Sequence, residues 1–80
     1  MKIIFTKVAM KDLKKIPNPF KKNIQKEVLH LEDFPNVSNV KKLVSSQYFR
    51  LRVGTYRVLF LFENEQITIT NILHRSKAYD

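Results

Sequence analysis

The stretch Tyr48-Phe49-Arg50-Leu51-Arg52-Val53-Gly54-Thr55-Tyr56-Arg57-Val58-Leu59-Phe60 decides the fold. Apolar and cationic residues alternate from Phe49 to Val53, and five of the eight residues from Thr55 to Phe62 are β-branched or aromatic. Alternation with period two marks a half-buried strand. The chain's single glycine, Gly54, stands between the runs. Gly54-Thr55 therefore reads as a two-residue hairpin turn with glycine at the leading position of a type II′ turn. That turn fixes the pairing: Val53 opposite Tyr56, Arg52 opposite Arg57, Leu51 opposite Val58, Arg50 opposite Leu59 and Phe49 opposite Phe60. Facing residues share one side of a sheet. One side then carries Phe49, Leu51, Val53, Tyr56, Val58, Phe60 and Phe62, a continuous core face. The other carries Tyr48, Arg50, Arg52, Arg57, Leu59 and Leu61.

The run from Gln66 to Leu73 alternates again, after a second two-residue turn at Asn64-Glu65. The register predicts Phe62 opposite Ile67, Phe60 opposite Ile69 and Tyr56 opposite Leu73, with Thr68, Thr70, Ile72 and His74 on the arginine face. Towards the N-terminus, Ile3-Ile4-Phe5 reads as a short strand and Thr6 as the cap of a helix carrying Ala9, Leu13 and Ile16 on one stripe. Pro17-Asn18-Pro19 ends that helix. Asn18 is the expected cap, and Pro19 the expected first residue, of a second helix running to about Glu32, with Phe20, Ile24, Val28 and Leu31 inward. Asp33 to Ser46 is rich in turn formers, and Lys41-Lys42-Leu43 leads into the sheet. The layout is β-α-α-β-β-β. The expected fold is α+β, a single domain over residues 1–80, with a helical hairpin packed on one face of a small, mainly antiparallel sheet.

Composition narrows the chemistry. The 80 residues hold no cysteine, two histidines (His30 and His74) and one glycine. Disulfides, cysteine-based zinc sites, thiol nucleophiles, His-rich metal cages and glycine-rich phosphate loops are therefore excluded. Neither a metal nor a small-molecule cofactor is expected. The first apolar run is three residues long, far below the roughly 7–15 of a signal peptide. No window approaches the roughly 20 apolar residues of a membrane span. A cytoplasmic protein with no membrane role is expected.

Fifteen Lys and Arg against seven Asp and Glu give a formal charge of +8. The distribution says more than the sum. All four arginines (Arg50, Arg52, Arg57 and Arg75) lie between residues 50 and 75, while ten of the eleven lysines precede residue 43. Lysines spread over helices serve solvation. Arginines gathered on one sheet face suit phosphates, which guanidinium binds in a bidentate way. Arg52 opposite Arg57 is a like-charge pair that costs stability. Tyr48, His74 and Tyr79 would add flat rings for stacking on unpaired bases. The plainer reading is that one or two arginines pair with Glu63, Glu65 or the C-terminal carboxylate. For His74 the plainer reading is a strand-end histidine bonded to backbone. His30 lies off the apolar stripe and has no assigned role.

These residues resemble a known family. The thirteen residues from Tyr48 to Phe60 are similar to the "YRLRVGDYRV" core of the RelE/ParE toxin superfamily. Ile72-Leu73-His74-Arg75-Ser76-Lys77-Ala78-Tyr79 resembles its "I-x-H-R-x-x-x-Y" ending, and Lys41-Lys42-Leu43 resembles the "KKL" that precedes the core. The resemblance implies a type II toxin: a RelE-type mRNA interferase that enters the ribosomal A site, cuts mRNA without a metal, and is neutralised by an acidic RelB-like antitoxin. By motif position it implies catalytic roles for Arg57, beside the scissile phosphate, for Arg75, and for Tyr79, the C-terminal aromatic. Arg50 stands where the RelE enzymes have a catalytic lysine, and Tyr48 lies near where they have another. An arginine does not give up its proton, so His74 becomes the candidate base, while Arg50 stays among the expected catalytic residues by its motif position. Arg52, Tyr48, Lys41, Lys42 and Lys77 are the expected RNA-binding residues. Two other readings stand beside this one: a ParE-like inhibitor of DNA gyrase, and a non-catalytic toxin-like domain that binds RNA or only an acidic partner.

Overall fold

The computed structural model describes residues 1–77. Strand β1 (Lys2–Phe5) leads into helix α1 (Lys7–Lys14) and then α2 (Phe20–Leu29), which a 3-10 turn over His30–Asp33 extends. Strands β2 (Val40–Lys42), β3 (Phe49–Val53), β4 (Tyr56–Glu63) and β5 (Gln66–His74) follow, and a second 3-10 turn spans Arg75–Lys77. The sheet order is β1-β5-β4-β3-β2. All neighbours are antiparallel except β1 and β5, which are parallel. The expected α+β architecture is present, with one strand more than the sequence suggested. Val40–Lys42 pairs with β3 rather than merely leading into it. A three-residue edge strand carrying two lysines gives little alternation to read, and edge lysines blunt unwanted pairing.

Local chemistry explains the elements. The Thr6 hydroxyl accepts the Ala9 N–H at 3.1 Å and caps α1 as expected. Asn18 does not cap α2. Pro19 holds the cap position, no side chain bonds there, and the Pro17 carbonyl accepts the Lys21 N–H instead. Gly54 takes φ 58°, and Asn64 and Glu65 take φ 52° and 60°. Two consecutive positive φ values define the second hairpin turn as type I′.

Ala9, Ile16, Ile24, Val28 and Leu31 of the helical layer meet Leu51, Val58, Phe60, Ile67, Ile69 and Ile72 of the sheet. Phe34, from the segment with least pattern, closes one end of this core. Its ring lies 5.1, 5.6 and 5.0 Å from those of Phe49, Phe60 and Phe62. Each such aromatic pair contributes about 0.5–1.5 kcal/mol beyond the area it buries.

The β3–β4 register matches the expected one at all five pairs. The β4–β5 register matches from the turn to Phe60↔Ile69 and then slips at a bulge between Leu59 and Phe60. Beyond it Leu59 faces Asn71, Val58 faces Ile72, Arg57 faces Leu73 and Tyr56 faces His74. One extra residue exchanges the two faces for everything after it. Ile72 therefore joins the core, 4% exposed, rather than the arginine face. The bulge and the free edge of β5 are held by side chains. Thr6 Oγ1 donates to the Thr70 carbonyl, Thr70 Oγ1 donates to the Leu59 carbonyl, and Asp12 Oδ2 accepts the Ile72 N–H at 2.9 Å.

Candidate nucleic-acid interface

The sheet face turned away from the helices is built on three strands. Lys41 on β2 lies opposite Arg50 on β3, and Arg52 on β3 lies opposite Arg57 on β4. Cross-strand neighbours stand about 4.5–5.5 Å apart, so four cations share one small patch. Arg50 and Arg57 are each only 8% exposed, whereas Lys41 and Arg52 are exposed. Arg57 Nη1 also donates to the Tyr56 carbonyl at 3.4 Å. Two guanidinium groups thus form the floor of the patch and two exposed cations its rim. Tyr48, 36% exposed, precedes Arg50 by two residues and continues the same face by alternation.

Arg75 belongs to the same end of the sheet. Its N–H donates to the Thr55 carbonyl at 2.7 Å, which ties the 3-10 turn after β5 to the β3–β4 turn. Arg52 and Arg57 flank that turn two residues away on either side. Lys77, exposed, closes the 3-10 turn.

Two expected site residues lie elsewhere. His74 is not on the arginine face. The bulge places it opposite Tyr56, on the helix side, with its ring edge-on to the Tyr56 ring at 5.5 Å. Its Nδ1 accepts the Ser76 N–H at 3.3 Å and lies 3.1 Å from Ser76 Oγ. An Nδ1 that accepts leaves the proton of the neutral ring on Nε2. Lys42 pairs with Phe49 and so also lies on the helix side, at the sheet edge. Leu73 takes the place opposite Arg57 that no polar residue fills. Tyr79 lies outside the described residues, as does the C-terminal carboxylate offered as an arginine partner.

The electrostatics follow from the register. Glu63 also belongs to this face, but six residues along β4 from Arg57. At roughly 3.4 Å per residue that is about 20 Å, beyond a Debye length of about 8 Å at physiological salt. Among the described residues, no group of three or more His, Cys, Asp or Glu is placed to hold a metal, and no helix is long and apolar enough to cross a membrane. Two positioning residues carry no signal in the sequence pattern: Asp12 in α1, which accepts the Ile72 N–H, and Asn39 in the turn before β2. Asn39 accepts the Arg52 N–H on its carbonyl at 2.9 Å and extends the β2–β3 ladder.

A helical hairpin on one face of such a sheet, with arginines on the other, defines the class of RelE/ParE-like toxins. A family model described as ParE toxin of type II toxin–antitoxin system, parDE, matches residues 3–79, and the chain belongs to that family. It is 29% identical over 85 residues to Toxin RelE3 of Methanocaldococcus jannaschii, a match spanning 100% of this chain and 97% of that protein. The toxin of a RelB–RelE antitoxin–toxin complex from Methanococcus jannaschii superposes with TM-score 0.79 at 27% identity, over 91% of both chains. The toxin–antitoxin complex RelBE2 from Mycobacterium tuberculosis gives TM-score 0.81 at 28% identity, over 92% of this chain and 96% of that one.

Proposed function

We propose that this toxin is a ribosome-dependent endoribonuclease that cuts mRNA in the A site and is held inactive by an acidic RelB-like antitoxin. The observation that carries the reading is the row Lys41, Arg50, Arg52 and Arg57 across three strands, with Arg75 tied to the same end. Such a face suits a polyanion whose charge increases in a transition state. In the reaction the 2′-hydroxyl loses its proton and its oxygen attacks the adjacent phosphorus. The bond to the 5′-oxygen breaks, a 2′,3′-cyclic phosphate forms, and the departing oxygen takes up a proton. Arg57 and Arg75 stabilise the pentavalent phosphate, and Arg50 supports them from the neighbouring strand. Tyr48 and Tyr79 are the stacking or proton-donating rings of this reading, and Lys77 is a further backbone contact.

His74 is a weaker candidate base than the sequence suggested, because it shares its face with Tyr56 and not with Arg57. The reading assigns removal of the 2′-hydroxyl proton to a group that the ribosome brings to the A site, which makes cleavage depend on the ribosome. Loss of Arg57 alone then slows cleavage about 100- to 1,000-fold, the range for deleting one preorganised donor.

The antitoxin has a different surface. A groove of about 730 Å³ runs between β1, α1 and α2, lined by Phe5, Met10, Leu13, Val28 and Leu29, with Lys14 and Lys21 also on its wall. An acidic amphipathic segment fits it, with apolar residues inward and carboxylates against the lysines. One observation favours a second reading, inhibition of DNA gyrase: the matching family model is the ParE one. Translating ribosomes and purified gyrase, each challenged with the same preparation, separate the two. RNA ends that appear only with ribosomes support the nuclease, and blocked supercoiling with intact mRNA supports the gyrase reading.

A further inference from the structure

We propose that His74 is a positioning residue for Arg75: its imidazole caps the 3-10 turn after β5 and so fixes the backbone that carries the Arg75 guanidinium. The inference rests on the part given to Arg75 in the RNA reading above, and gives His74 a role other than that of base. Arg75 stands one residue beyond β5, past the last ladder pair, Tyr56↔His74. Two consecutive amide groups hold the chain there instead. The Arg75 N–H donates to the Thr55 carbonyl at 2.7 Å, and the Ser76 N–H donates to His74 Nδ1 at 3.3 Å. The second bond follows the pattern of a helix cap, in which a side-chain acceptor takes the N–H two or three residues on. His74 precedes the turn Arg75–Lys77 and takes the N–H of its second residue. Ser76 Oγ, 3.1 Å from the same nitrogen, is a further donor to it.

Histidine is not among the common cap residues, and the packing explains its use here. Tyr56, its cross-strand partner, meets the imidazole edge-on, with ring centroids 5.5 Å apart and planes at 87°. Phe20, at the start of α2, backs Tyr56 at 5.9 Å. Edge-on contact is a preferred aromatic geometry, so this row of rings holds the imidazole with Nδ1 towards Ser76. His74 lies on the helix side and Arg57 on the opposite face, so its influence on the phosphate passes through Arg75. A cation stabilises a transition state best when it is held in place beforehand. A displacement of about 1 Å in such a group costs on the order of 100-fold in rate.

The test compares His74→Leu, His74→Asn, Arg75→Ala and the double variant His74→Leu/Arg75→Ala in cleavage on translating ribosomes. Exchange of the Ser76 amide proton with water is followed by NMR on the same chains. Asparagine puts Oδ1 where Nδ1 stands and keeps the cap. Leucine has a similar branched shape and no acceptor. Glutamine, with its acceptor one carbon further out, groups with asparagine. His74→Leu is expected to lower kcat about five- to tenfold at unchanged KM, the factor of a typical lost cap, and to speed Ser76 exchange similarly. His74→Asn is expected to stay within about twofold of wild type in both. Because His74 acts through Arg75, the double variant cleaves no more slowly than Arg75→Ala. Circular dichroism melts confirm that each variant is folded. His74→Leu cleaving as fast as wild type, with Arg75→Ala impaired, overturns the positioning role and leaves the RNA reading standing. Equal losses of about 100-fold or more in the leucine and asparagine variants overturn it in favour of a base. A double variant several-fold slower than Arg75→Ala overturns it by giving His74 an effect apart from Arg75. A wild-type chain that cuts no mRNA, or an Arg75→Ala chain that cuts as fast as wild type, overturns the part given to Arg75 and the inference with it.

Discussion

Replacing Asp12 with alanine should destabilise the protein by about 1–2 kcal/mol, although Asp12 is a polar residue on a lysine-rich helix. Its Oδ2 accepts the Ile72 N–H at 2.9 Å, beyond the last β1–β5 pair at Phe5↔Ile69. No strand reaches that N–H, and Ile72 is 4% exposed. Leaving a buried donor unsatisfied costs about 1–3 kcal/mol. An opposing term is smaller: a carboxylate in the second half of a helix meets the negative end of its dipole, and removing it returns about 0.3–1 kcal/mol. For a domain of this size 1 kcal/mol moves Tm by roughly 4–8 °C. The expected fall is therefore about 4–16 °C by calorimetry or circular dichroism. Asp12→Asn keeps an acceptor oxygen and should lose about half as much. The reasoning fails if Asp12→Ala melts within 2 °C of wild type, or if the alanine and asparagine variants melt together at a lowered temperature.

Arg52→Thr removes the like charge opposite Arg57 and should raise stability by a few tenths to about 1 kcal/mol while weakening RNA binding; chemical denaturation and anisotropy on one preparation check both signs. His74→Gln should keep cleavage on ribosomes within about threefold of wild type, since His74 stands on the helix side. A hundredfold loss would return the base to His74. Phe60→Ala should cost about 3–5 kcal/mol, enough to leave much of the chain unfolded at 37 °C, because Phe60 is fully buried and packs on Phe34 and Phe49.

Much of this architecture is written in short-range pattern. Alternation about Gly54 places all five β3–β4 pairs, and with them the faces of Arg50, Arg52 and Arg57. Of the two helix stripes, Ala9, Ile16, Ile24, Val28 and Leu31 are buried and Leu13 is half-buried, but Phe20, at the start of α2, stays 45% exposed and only its ring edge meets Tyr56. The bulge had a signal that the simple register passed over. Ile67 and Ile69 are two apart, but the next inward residue is Ile72, three further on. An unbroken register puts Asn71 in the core opposite Val58, an uncompensated polar burial. The bulge avoids it, and moves His74 off the arginine face. The parallel β1–β5 pairing joins residues more than sixty apart, which no local pattern encodes. β2 was hidden by its brevity, and with it the place of Lys41 beside Arg50 and of Lys42 on the opposite side.

The most direct test of the central claim is a purified translation reaction. The protein is added with and without ribosomes, and new mRNA ends are mapped by primer extension for wild type and for Arg57→Ala. The account expects cuts only on translating ribosomes, slowed about 100- to 1,000-fold in the variant. Intact mRNA from a preparation that still arrests growth, or cleavage at equal rates by both proteins, would contradict it.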